Sequence, residues 1–93
     1  MGKLVLTRRA GESVIVREAN GDEWLVKHCD RGFWKGRITV GRKGEASEVR
    51  LSLREAYSFA GGSLELRPAR CPSQAILAFD FPRDVTILRT EIA

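Results

Sequence analysis

Lys3-Leu4-Val5-Leu6-Thr7-Arg8-Arg9-Ala10-Gly11-Glu12 decides how the rest of the chain is read. Leu4, Val5, Leu6 and Thr7 are strand formers. Strict alternation puts Leu4, Leu6 and Arg8 on one face and Val5, Thr7 and Arg9 on the other. Two adjacent arginines at the end of a short strand therefore project to opposite sides of a sheet. Ala10-Gly11-Glu12 breaks the run before Ser13-Val14-Ile15-Val16 begins a second strand. The spacing predicts a β-hairpin, with Gly11 supplying a positive φ in a three- or four-residue turn. From pattern alone, an edge hairpin with solvated arginines and a ligand-binding strand are equally compatible with this stretch.

Composition bounds the alternatives. The chain has 93 residues, 43% hydrophobic and 30% charged, which is the make-up of one small globular domain. No apolar run approaches the ~20 residues of a membrane span, and the amino terminus lacks a signal peptide's apolar stretch. A cytoplasmic protein without membrane contact is expected. Cys29 and Cys71 read as free, buried thiols. His28-Cys29 is the only local cluster of ligating residues, so neither a metal nor a cofactor is expected. The net charge is +4. Residues 18–60 carry eight Lys/Arg and seven Asp/Glu, against eight and five in the two ends, so most of the excess lies there. That balance suits a polyanionic partner.

Arg17 to Asp22 forms a turn around Asn20-Gly21. Glu23 to Cys29 and Lys35 to Val40 read as two strands of a hairpin closed around Phe33 and Trp34. Ser47 to Ala60 satisfies two patterns. Val49, Leu51 and Leu53 alternate as in a strand, whereas Val49, Leu53, Ala56, Tyr57 and Ala60 share one helical face. Ser47 as an N-cap and Gly61-Gly62 as a terminator favour the helix. Leu64 to Arg67, Ala75 to Phe79 and Val85 to Arg89 are strands again, with Pro68, Pro72 and Pro82 only between or at the ends of them. No repeat or linker is apparent.

The order of residues adds more. Leu4-x-Leu6-Thr7-Arg8-Arg9-x-Gly11-Glu12-Ser13 resembles the opening of the carbon storage regulator family, bacterial translational regulators also called repressors of secondary metabolites. The closing stretch Phe81-Pro82-Arg83-Asp84-Val85-Thr86-Ile87-Leu88-Arg89-Thr90-Glu91-Ile92 resembles that family's second hallmark through Pro82, Arg83, Val85, Arg89, Glu91 and Ile92. Leu88 and Thr90 depart from it, as do Ile76 and Ala78 in the strand before. The resemblance covers residues 3–17 and 61–92 of a single domain spanning 1–93, and makes 18–60 a large internal insertion. A second register takes Glu23–Cys29 and Lys35–Val40 as the family's third and fourth strands.

What the resemblance implies is a mainly β fold. It is a small five-stranded antiparallel sheet, completed by strand exchange in a homodimer, with the insertion adding a β-hairpin and a helix. Trp24, Trp34, Tyr57 and Phe59 would anchor the insertion's core. The first strand of one subunit would lie beside the last strand of its partner, bringing Leu6, Thr7, Arg8 and Arg9 to Ile87, Leu88, Arg89 and Glu91. The implied ligand is a GGA-containing single-stranded loop of an mRNA or small RNA, and the implied outcome is repression of translation at the ribosome-binding site. Unstacked loop bases offer their edges to strand backbone, while arginines neutralise phosphates. Arg89 and Arg8 would make the direct contacts, and Arg9 a phosphate contact or a structural ion pair. Phe81 and Pro82 would form an apolar ledge beside a base, with Arg83 at its rim. Leu6 and Ile87 pack either against bases or in the core, and Glu12 belongs to the turn.

No nucleophile–base pattern or phosphate-cradling loop is present, so an enzyme is not expected. The alternative is a protein-interaction module on the same fold, in which residues 18–60 bind a protein partner or mask the RNA site.

Overall fold

The structure is a computed structural model that describes residues 3–32, 34–42, 45–71 and 73–90. Its described residues form nine strands: β1 (Lys3–Arg9), β2 (Ser13–Arg17), β3 (Glu23–Arg31), β4 (Lys35–Arg42), β5 (Ser47–Ser52), β6 (Ala56–Phe59), β7 (Gly62–Pro68), β8 (Gln74–Asp80) and β9 (Thr86–Arg89). They build two antiparallel sheets, one of order β1-β8-β7-β6 and one of order β5-β4-β3-β2-β9. Alternation explains which faces meet. Leu6, Leu64, Leu66, Ala75, Leu77 and Phe79 of the first sheet and Val14, Val16, Val26, Ile38 and Val40 of the second are buried in one cluster. Among the described residues no helix is long and apolar enough to cross a membrane.

Three expectations change. β1 and β2 do not pair with each other: β1 lies on β8, and β2 lies between β3 and β9. Gly11 does have a positive φ, 91°, but its turn is a corner between sheets rather than a hairpin. Both strands carry an inward apolar row, and two such rows bury more surface on opposing sheets than side by side. Second, Ser47 to Ala60 is not helical. It forms β5, a turn and β6, because Val49 and Leu51 complete the register on β4. Gly61, read as a helix terminator, instead makes the β6–β7 turn at φ 81°; glycine serves both roles through the same positive φ. Third, residues 18–60 are no appendage to a finished sheet. They supply β3, β4 and β5 of the five-stranded sheet and the β6 edge of the other. The expected β3–β4 and β7–β8 hairpins are present, although Phe33 and Pro72 lie outside the described residues.

The backbone carries a repeat that the sequence does not show. β2, β3 and β4 form a meander with β5 laid on β4; β6, β7 and β8 form another with β1 laid on β8. Val26, between Val14 and Val40, has its counterpart in Leu64, between Tyr57 and Phe79. The corner turns correspond as well. Glu12 N–H donates to the Arg9 carbonyl and Glu55 N–H to the Ser52 carbonyl, both at 3.0 Å. The Glu12 carboxylate accepts from Arg9 N–H at 2.7 Å, and the Glu55 carboxylate from Ser52 N–H at 3.3 Å. Gly11 N–H reaches the His28 carbonyl at 2.7 Å, and Arg54 N–H the Leu66 carbonyl at 2.8 Å. Each half thus contains one antiparallel hairpin at the same place, β3–β4 in one and β7–β8 in the other.

Comparing the halves exposes two strained positions. Arg54, at φ 72°, stands where the other half has Gly11. Left-handed backbone disfavours a residue with a Cβ, so Arg54→Gly is expected to stabilise the fold by about 0.5–1 kcal/mol, net of glycine's extra unfolded-state entropy. A higher midpoint in urea would show it. His28 stands where the other half has Leu66; it is fully buried, and neither ring nitrogen has a hydrogen-bond partner. An unpaired buried polar group costs about 1–3 kcal/mol. His28→Leu is accordingly expected to raise the urea midpoint by a corresponding amount without changing the slope. A lower midpoint would contradict this assignment.

Candidate nucleic-acid interface

β1 and β9 are edge strands of different sheets, and the chain's corner brings their ends together. From Arg9 the backbone turns through Ala10-Gly11-Glu12 into β2, whose other neighbour is β9. Arg89 is paired with Val14, Leu88 with Ile15 and Ile87 with Val16. Just beyond β9, the Thr90 hydroxyl donates to the Ser13 carbonyl at 3.1 Å and accepts from the Ser13 hydroxyl at 3.1 Å. The opening and closing strands thus meet at one turn within a single chain. Within the chain β1 pairs with β8 and β9 with β2.

The turn is held from beneath. Ala10 N–H donates to the Ser73 carbonyl at 3.1 Å, tying it to the β7–β8 loop. Arg31 ends β3 and clamps that loop. Its Nε donates to the Gln74 carbonyl at 2.8 Å, and one terminal nitrogen reaches the Ala69 and Cys71 carbonyls, both at 3.3 Å. No local pattern signals this role, since the acceptors lie some forty positions away.

The candidate side chains divide by burial. Thr7, Arg9, Pro82, Arg83 and Arg89 are exposed, and Ile87 and Leu88 are half-buried. Leu6 and Phe81 are core residues. Phe81 is not a ledge for a base: its ring packs edge-on against Phe59 at 5.2 Å and lies 6.2 Å from Phe79. Arg8 is also inside, 6% exposed, with its Nε donating to the Thr7 carbonyl at 2.8 Å. The expected ranking of the two neighbouring arginines is thereby reversed. Arg8 shares the inward face with Leu6, opposite Ala75, while Arg9 faces solvent. Arg89 shares the side of Val14, but at a sheet edge that side opens to water. Of the aromatics expected as anchors, Trp24 packs tilted against Phe59 with ring centroids 5.4 Å apart, and Tyr57 lies 6.0 Å from Phe59. Trp34 is 81% exposed and anchors nothing. Glu12 belongs to the turn, and Glu91 lies outside the described residues.

Charge is arranged unevenly. Arg17 pairs with Glu23, Arg37 with Asp30 and Glu48, Arg42 with Asp22, Arg50 with Glu48 and Arg67 with Glu65. The Arg37 guanidinium is raised above its usual pKa by its hydrogen bond to Asp30 first and to Glu48 second. The Arg9 and Arg89 guanidinium groups have no carboxylate partner among the described residues, so the turn keeps a positive field. Pro82 and Arg83 precede β9 at the other end of β2, beside the β2–β3 turn, and the structure does not bring them to Arg9. Cys29 and Cys71 are free, but neither is buried. The Cys71 thiol, 3.2 Å from the Ser73 hydroxyl, is held below its usual pKa chiefly by that hydrogen bond.

What this arrangement offers is a pair of edge strands that meet at a turn carrying exposed arginines. No protein-family model, curated protein or solved structure matches the chain.

Proposed function

We propose that the chain is an RNA-binding regulator, a divergent relative of the carbon storage regulators, which takes a GGA-containing single-stranded loop of an mRNA or small RNA. By covering a ribosome-binding site in the cytoplasm it would repress translation. The observation that carries this reading is the meeting of β1 and β9 at one turn, with Arg9 and Arg89 exposed and their guanidinium groups without carboxylate partners among the described residues. These are the two segments in which the sequence resemblance is concentrated.

The roles follow from burial. Arg89 and Arg9 neutralise phosphates or meet base edges, with the Thr7 hydroxyl available for hydrogen bonding. Pro82 and Arg83, at the far end of β9, would meet only a flanking part of the RNA. Ile87 and Leu88 offer partly exposed apolar surface beside a splayed base. The unpaired backbone edges of β1 and β9 supply donors and acceptors that a base-paired duplex would not reach. Leu6, Arg8 and Phe81 act from within, holding the two strands where they are.

The reading of residues 18–60 as a protein-binding element draws on exposed Trp34 and Leu25, which that segment contributes. A gel-shift separates the two. An RNA hairpin displaying GGA is expected to bind at least about tenfold more tightly than one whose GGA is replaced, since a lost base contact costs about 1–3 kcal/mol. Equal affinity for both, or none for either, would favour the protein-interaction module.

A further inference from the structure

We infer that each chain carries a single RNA site, complete within itself, because the equivalent site in the other half of the fold has been dismantled. The inference rests on the RNA-binding reading above and concerns how many loops one chain holds.

The repeated halves make the comparison residue by residue. β5 takes in its half the position that β1 takes in the other, and the corner turns make matching hydrogen bonds. On that correspondence, Leu6-Thr7-Arg8-Arg9 becomes Val49-Arg50-Leu51-Ser52 without a gap. Arg8 is replaced by Leu51, a core residue, and Arg9 by Ser52. Arg50, the cation that remains on β5, lies 3.5 Å from the Glu48 carboxylate.

The second wall is missing too. β2 has β9 along its outer edge, but β6, its counterpart, ends its sheet, and among the described residues no strand lies beyond it. Connection length gives the reason. The chain leaves β4 at Arg42 and enters β5 at Ser47, so only residues 43–46 lie between them. A strand as long as β9 and the turns on either side of it do not fit there. Arg89 therefore has no counterpart, and the β5 edge lacks both the cationic pair and the closing strand that make the β1 edge a site.

Titration of the protein with a hairpin displaying one GGA loop, followed by the mass of the complex, reads the stoichiometry directly. One RNA per chain is expected. Arg50→Ala and Ser52→Ala should leave affinity within about twofold, against a loss of at least about tenfold for Arg89→Ala. A mixture of Arg9→Ala chains with Arg89→Ala chains tests whether the site is made within a chain or between chains. If it lies within one chain, mixing restores nothing. Recovery of tight binding on mixing would show a site shared between two copies and overturn the inference. Two RNAs per chain would overturn it as well, while leaving the RNA-binding reading intact. Absence of any GGA-dependent binding would remove that reading and the inference together.

Discussion

Arg89→Ala is expected to weaken binding of a GGA-loop RNA by about tenfold to a hundredfold, the effect of losing one well-placed guanidinium worth about 1–3 kcal/mol. The salt dependence should change in parallel. Each phosphate contact to a single strand releases about 0.7 of a counterion, so the slope of log affinity against log salt should flatten by roughly that amount if Arg89 meets phosphate. An unchanged slope with lost GGA preference would assign Arg89 to a base edge instead. Stability should barely move, because the side chain is exposed and β9 is held by its backbone pairing to β2 and by Thr90 on Ser13. An Arg89→Ala protein that is equally stable and binds as tightly as the parent would remove Arg89 from the interface.

The largest effect on stability is expected at Phe79. Its side chain is 1% exposed at the centre of the first sheet, on β8 between Leu4 of β1 and Leu64 of β7. β8 joins the opening strand to the β6–β7 hairpin, so a cavity there loosens both neighbours at once. Phe79→Ala should cost about 3–5 kcal/mol, from lost transfer energy and an unfilled cavity. For a domain whose whole stability is of the order of 5–15 kcal/mol, that leaves little margin. Thermal unfolding would show a fall on the order of tens of degrees. A loss below about 1 kcal/mol would mean that the ring is not packed as the structure has it. Because β8 carries β1, RNA affinity should fall with the fraction unfolded and recover at low temperature, unlike the loss caused by Arg89→Ala.

How much of this was legible beforehand depends on the range over which each feature is decided. Strand positions followed from alternation and turn chemistry: Val14 and Val16, Val26, Ile38 and Val40, Leu64 and Leu66, and Leu77 and Phe79 all face inward as the period of two requires. The exception, Ser47 to Ala60, failed because cap residues and turn residues are the same amino acids. Only the waiting edge of β4 decides that Val49 and Leu51 join a sheet. The arginine pair shows a different limit. Alternation correctly sends Arg8 and Arg9 to opposite faces, yet which face is solvent depends on the sheet packed against β1. Phe81 lies just past a strand, where no period applies, and its place against Phe59 and Phe79 is set by residues far away in sequence.

By itself the sequence determined a chain of short strands, a glycine turn after Arg9, and cations gathered towards its two ends. Those are consequences of local sterics and of side-chain chemistry, which act over a few residues. The tertiary structure alone decided that β1 lies on β8 and β9 on β2, that the two halves repeat each other's strand order, and that only one corner has both of its walls. Strand pairing is chosen by whichever edge and apolar face remain uncovered, and that is a property of the assembled sheets rather than of any segment.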